Sequence, residues 1–170
     1  DDVNKNPVAI KLNKFDSKLL IYGIKNATHI ISQTYEQIKL LKLNYNIDNV
    51  NLVRNFHPYP KEKIQKEYPI KIVWVANFKP LKQPNLFIKL ANDIQHINDS
   101  VQFIMIGAAS VNKKWQNKLE NDINKIKNLI YIGSKSIDEV NQILSKSHIF
   151  INTSTVEGFA NTYIQSWMRE

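Results

Sequence analysis

Between residues 71 and 152 the chain carries four short, predominantly apolar runs: 71–77, 101–106, 129–132 and 148–152. The stretches between them place apolar residues at helical spacing. Pro84 opens the first, with Leu86, Phe87, Leu90, Ala91 and Ile94 along one face. Trp115, Leu119, Ile123 and Ile126 mark the second. Ser136 and Glu139 form a capping box ahead of Val140, Ile143 and Leu144 in the third. A last helix is expected to begin near Gly158 and run on to residue 170. Strands apolar on both faces must be covered on both faces. The order therefore predicts a doubly wound, Rossmann-like parallel α/β sheet.

The same grammar occurs once more upstream. Residues 28–32 read as a strand, and Thr34 with Gln37 caps a helix through Ile38, Leu41 and Tyr45. Residues 51–54 read as a short strand. The first 25 residues have weak strand content and close on a helical run over 18–24. Two prolines and a charge cluster in 55–63 read as a connection. The expected division is 1–57 as the end of one domain, 58–70 as a linker and 71–170 as a second domain. Both ends read as cut, so the expectation is a fragment of a longer protein.

Composition narrows the function classes. There is no Cys among the 170 residues, which excludes disulfides, thiolate nucleophiles and Cys-ligated metals. No apolar run approaches the roughly 20 residues of a membrane span. Residues 1–4 carry neither the basic nor the apolar region of a signal peptide. The net charge of +8 favours anionic partners. Only Arg54 and Arg169 among the 23 basic residues are arginine, however, and the chain is crowded with Asn and Ile. That is the composition of AT-rich coding, and it lacks the arginines that read bases bidentately. The charge is spread evenly, 11 basic against 7 acidic over 1–70 and 12 against 8 over 71–170. The expectation is a solvated surface attracted to anionic lipid, with no nucleic-acid partner.

In such sheets ligands sit beyond the carboxyl ends of the strands. Two ends carry chemistry. Residues 75–84 offer Lys79 and Lys82 on a strand-to-helix loop, where an ammonium can reach a phosphate; either is also an ordinary surface lysine. Residues 152–162 place Glu157 and Gly158 at an expected helix start, where free N–H groups bind anions. Glu157 read alone serves equally as a carboxylate settling the helix dipole.

Taken together these segments resemble the C-terminal, nucleotide-sugar-binding half of a retaining GT-B glycosyltransferase of the group 1 (family 4) type. The stretch that carries the resemblance is 157–168, where family members hold two glutamates separated by seven residues with Gly-Phe after the first. It covers 71–170 and extends back through 30–34 and Arg54-Asn55 as the tail of the N-terminal half. It implies that Glu157 holds donor-sugar hydroxyls and that Lys82 binds the diphosphate, the two catalytic positions. Gly158, Phe159, Ala160 and Asn161 match the helix start that faces sugar and phosphate. Gln165 stands where the second glutamate binds ribose, an amide in place of a charge. Asn77 stands where the family often has arginine, and Lys79 can partly substitute. Gly133, Ser134 and Lys135 match the loop beside the nucleobase.

The resemblance further implies a UDP- or GDP-sugar donor and a glycan or lipid-linked acceptor, bound largely by the missing N-terminal domain. It implies no cofactor and metal-independent hexosyl transfer. The family setting is bacterial polysaccharide synthesis, cytoplasmic or peripheral at the inner membrane face. A second reading takes Asn77 and Gln165 as marks of a catalytically impaired nucleotide- or phosphate-binding relative. A third is a basic nucleic-acid or membrane-surface module. No metal-ligand spacing is visible. His29 and His148 begin strands and read as core or cap, His96 as solvated and His57 as a linker residue. Trp74, Trp115 and Trp167 read as structural.

Overall fold

Among the described residues the chain forms six strands, and those of the longer sheet fall on its apolar runs. The computed structural model describes residues 14–61, 63–155, 157 and 159–169. The elements in order are α1 (Lys14–Asn26), β1 (Ile30–Ser32), α2 (Tyr35–Tyr45), β2 (Val50–Leu52), β3 (Lys71–Val75), a 3-10 turn (Pro80–Lys82), α3 (Pro84–Gln95), β4 (Gln102–Ile106), α4 (Lys113–Ile123), β5 (Leu129–Tyr131), α5 (Ile137–Ser145), β6 (Ile149–Phe150) and α6 (Asn161–Trp167). Residues form two compact units, one within 1–56 and 156–161, the other within 57–155 and 162–170.

In the first unit β1 and β2 pair in parallel, with Ile30 opposite Val50 and Ser32 opposite Leu52. The crossover helix α2 starts where the sequence marks it. Thr34 accepts from the Gln37 N–H while the Gln37 side chain accepts from the Thr34 N–H. Asn46 closes the helix in the left-handed conformation, which asparagine tolerates. Leu41 supplies the buried face.

The second unit is a four-stranded parallel sheet in the order β5-β4-β3-β6. The chain steps from β3 to β4 to β5 in one direction, then crosses back to place β6 on the other side of β3. Sheet order therefore reverses between β3 and β6, the place where doubly wound sheets open a crevice. One face buries Trp74, Phe87, Phe103, Met105, Leu119 and Ile123. Phe87 and Phe103 meet edge to face at 5.5 Å. The opposite face is smaller, with Val73, Ile106, Val140 and Leu144.

Helix α5 is capped as the sequence predicts. Ser136 accepts from the Glu139 N–H, and the Glu139 carboxylate accepts from the Ser136 N–H and hydroxyl, each at 2.8 Å. These bonds, with the Lys135 ammonium 3.3 Å away, hold the Glu139 carboxyl below its usual range. A carboxylate depressed in the folded state adds stability above its ordinary pKa of 4.5, and that stability is lost as pH falls through the depressed value. Glu139→Gln is therefore expected to flatten the decline of the urea midpoint below pH 4.5 while leaving the neutral-pH slope unchanged. An undiminished acid decline would show that the capping carboxylate does not couple to folding.

Three expectations shift. Strand β6 is two residues long where five are expected; the Ile151 N–H still donates to the Val73 carbonyl at 2.9 Å, and from Asn152 on the chain enters side-chain bonds. The final helix opens at Asn161 rather than near Gly158. Gly158 itself lies outside the described residues; Phe159 and Ala160 are not helical, and the Phe159 carbonyl accepts from the Asn55 side chain instead. Trp167, read as structural on an apolar face, is 56% exposed and stacks on Tyr163. His148 does cap: its Nδ1 accepts from the first N–H of β3 at 3.2 Å. No described helix is long and apolar enough to cross a membrane.

Candidate functional site

The carboxyl ends of β3, β4 and β5 are held together at Gly107. Its N–H donates to the Gly133 carbonyl at 2.9 Å, and its own carbonyl accepts from the Tyr131 hydroxyl at 2.9 Å. Burial, and behind it the Glu120 charge, raises the Tyr131 phenol, so the hydroxyl keeps its proton for this bond. A side chain at residue 107 would put a Cβ 1.8 Å from the Ala76 carbonyl oxygen, and the backbone there has φ of +149°. Only glycine lets the two loops approach this closely. On either side the contact is completed by Ala76 N–H to the Ile106 carbonyl and Phe78 N–H to the Ala108 carbonyl, each 2.9 Å.

Asn77, the position where the family often has arginine, is part of this seam. Its Oδ1 accepts from the Ala108 N–H at 3.0 Å, so it locks the β3–α3 loop to the β4–α4 loop. Beside it a cavity of about 570 Å3 opens, walled by Asn77, Phe78, Lys79 and Pro80 on one side and by Ala108 and Trp115 on the other. Lys79 is exposed at this wall. The β4–α4 loop is steadied by the buried Gln116, whose Oε1 accepts from the Ser110 N–H at 2.8 Å.

Lys82 ends the 3-10 turn, half-buried, with Gln83 beyond it at φ of +46°. This turn is tied to the loop after β6. The Thr153 hydroxyl accepts from Trp74 Nε1 at 2.9 Å and shares its proton between the carbonyls of Lys82 (2.6 Å) and Gln83 (3.0 Å). The Thr155 N–H donates to the Leu81 carbonyl at 2.9 Å. Asn152 folds that loop on itself by accepting from the Ser154 N–H at 2.7 Å. The two loops at the reversal of sheet order are thus one hydrogen-bonded piece. Thr153→Val is expected to leave the N–H of the buried Trp74 without its acceptor and to cost about 1–3 kcal/mol in urea unfolding; an unchanged midpoint would show that the tie carries no load.

The remaining predicted positions are placed as follows. Gly133 has φ of +72°, with Ser134 and Lys135 exposed after it. Lys135 pairs with Glu139 at 3.3 Å. Gln165 lies on α6 with 6% of its surface exposed, and its carbonyl accepts from the buried Arg169 at 3.0 Å. Glu157, Phe159 and Ala160 are half-buried, and the exposed Asn161 opens α6. Glu157 through Asn161 fall within the first unit, while Asn77, Lys79, Lys82, 133–135 and Gln165 fall within the second. His57, read as a linker residue, lies 3.3 Å from Asn141 Nδ2. Among the described residues no three His, Asp or Glu could hold a metal ion together. Sequence reading missed Gly107 as the seam, Gln116 as its brace and Thr153 as the bridge to Lys82. Gly107 was the one with a visible signal, as a rare glycine closing a strand.

A parallel sheet whose order reverses between β3 and β6, with helices packed on it, is a doubly wound, Rossmann-like α/β arrangement. The family described as "Glycosyl transferases group 1" matches residues 55–167, and the chain belongs to it. No curated protein sequence matches. Solved structures share the fold at low identity. Staphylococcus aureus TarM, a mutant in complex with fondaparinux, alpha-GlcNAc-glycerol and UDP, superposes with a TM-score of 0.76 at 20% identity over 99% of this chain and 34% of its own. Anabaena HepE in complex with UDP and glucose gives 0.72 at 12% identity over 93% of this chain and 47% of its own. The pneumococcal O-GlcNAc transferase GtfA in complex with UDP and GlcNAc gives 0.65 at 16% identity over 87% and 30%. The chain therefore spans less than half the length of these relatives.

Proposed function

We propose that this chain is the donor-binding part of a glycosyltransferase that uses a UDP- or GDP-sugar and, in the full-length protein, transfers a hexosyl group with retention to a glycan or lipid-linked acceptor. The observation that carries the reading is the Thr153 bridge: it fixes the Lys82 turn against the loop after β6 at the reversal of sheet order. As the glycosidic bond to the diphosphate breaks, the sugar carbon becomes oxocarbenium-like and negative charge grows on the leaving phosphate. Lys82, with Lys79 behind it, is the proposed counter-charge, preorganised because its turn is held by backbone bonds. Asn77 contributes an amide where a cation is usual, and is engaged in the loop seam. Glu157 is proposed to hold the sugar hydroxyls, Gln165 a ribose hydroxyl, Gly133–Lys135 the base, and Gly158, Phe159, Ala160 and Asn161 the sugar–phosphate junction. The proposed reaction is metal-independent, with the Lys82 and Lys79 ammoniums as its positive charge. The net charge of +8 fits work beside an anionic membrane face on the cytoplasmic side.

The test is calorimetric titration of full-length wild type and Lys82→Ala with UDP, GDP and their sugars. The expected result is binding by wild type that Lys82→Ala weakens. No binding, or binding indifferent to Lys82, would overturn the reading.

A further inference from the structure

Two anchors fix the backbone just before residue 55. The Val53 N–H donates to the Ser32 carbonyl at 2.9 Å, carrying the β1–β2 pairing one residue past Leu52. The Arg54 guanidinium lies over the ring of Tyr35, 5.8 Å from its centroid, at the first residue of α2. That residue is itself held by the Thr34–Gln37 capping box. The next side chain, Asn55, is half-buried and reaches 104 positions along the chain, where its Nδ2 donates to the Phe159 carbonyl at 2.6 Å. Phe159 follows Glu157 by two residues and belongs to the same compact unit as Asn55.

We propose that Asn55 is a positioning residue for the donor sugar: by holding the Phe159 carbonyl it fixes the backbone that carries Glu157. This rests on the reading of Glu157 given above. The chemistry selects the side chain. A carbonyl oxygen only accepts, so its partner must donate. Aspartate would turn lone pairs toward that oxygen, alanine would remove the donor, and glutamine keeps it on a longer arm. A reacting group displaced by about 1 Å can lose about a hundredfold in rate.

Asn55 acts through Glu157 and not on the diphosphate cations, so its loss should separate two ligands. In the full-length enzyme, Asn55→Ala and Asn55→Asp are expected to weaken UDP or GDP binding far less than they lower turnover, because the cations of the Lys82 turn are untouched while Glu157 loses its support. Turnover of the matching UDP-glucose, UDP-N-acetylglucosamine or GDP-mannose is expected to fall about tenfold to a hundredfold. Asn55→Gln should recover part of it. Adding Asn55→Ala to Glu157→Ala should cost nothing further, because a residue acting through another is silent once that other is gone. Wild-type turnover in Asn55→Ala overturns the proposal, and so does an additive double variant. Equal losses for nucleotide and nucleotide sugar, tracking a lowered Tm, overturn it as well, since they mark a purely structural role. If Asn55→Ala does not fold, Asn55→Gln and its double variant with Glu157→Ala decide. If wild type binds no nucleotide, the donor-site reading falls first and takes this one with it.

Discussion

Replacing Lys82 with alanine in the full-length enzyme is expected to lower kcat/KM for sugar transfer by about a hundredfold to a thousandfold, or about 3–4 kcal/mol of transition-state stabilisation. On the donor-site reading proposed above, the size follows from where the charge develops. In the ground state the diphosphate is already anionic, so an ammonium beside it aids binding. In the transition state the bridging oxygen gains further charge, and a fixed cation stabilises that increment without reorganising. Lys82 can be fixed in this way because its turn is tied twice, through the Lys82 and Gln83 carbonyls to Thr153 and through the Leu81 carbonyl to Thr155. Part of the loss is expected in kcat itself, separating a transition-state role from simple affinity. Lys82→Arg should retain a fraction, since the charge stays while its geometry changes. Steady-state kinetics on the three proteins checks this, and an unchanged kcat/KM for Lys82→Ala would remove the residue from the mechanism.

Gly107→Ala is expected to cost about 4 kcal/mol or more in urea unfolding, at the large end of single-substitution effects. Two terms combine. The methyl group would meet the Ala76 carbonyl oxygen at 1.8 Å, a backbone atom that cannot swing aside, and the backbone conformation is one that side chains rarely adopt. Relief requires the β3–α3 and β4–α4 loops to part, which would draw Asn77 and the Phe78 N–H away from Ala108. Gly133→Ala is the control. Its φ is +72° but nothing lies within 4 Å of the added methyl, so it should cost only about 1–2 kcal/mol. Equal effects at the two glycines would show that close approach does not matter here.

The contrast between these glycines marks how far a sequence can be read. Strands β3 to β5 and helices α3 and α5 were legible because their signals are local: an apolar run, Pro84 at a helix start, Ser136 with Glu139 three residues on. The Thr34–Gln37 box and the β1–β2 crossover were legible for the same reason. The seam at Gly107 joins segments about 30 residues apart, the Thr153 bridge spans 71, and the Asn55 bond spans 104. No spacing rule reaches that far. The same limit explains the late start of α6, since a carbonyl engaged by a distant asparagine leaves no mark in its own neighbourhood. The family resemblance named Lys82, but it could not foresee that threonine hydroxyl and backbone carbonyls would hold the lysine's turn.

Glu157, Phe159, Ala160 and Asn161 belong to a unit whose other described members lie before position 57. On the ribosome, helices α1 and α2 and their strand pair are complete roughly a hundred residues before that closing piece is made, an interval on the order of ten seconds. A polypeptide started at His57 would bear the piece with nothing to receive it, and one stopped at Phe56 would never obtain it. Cutting this protein at its apparent linker therefore divides a unit rather than separating two.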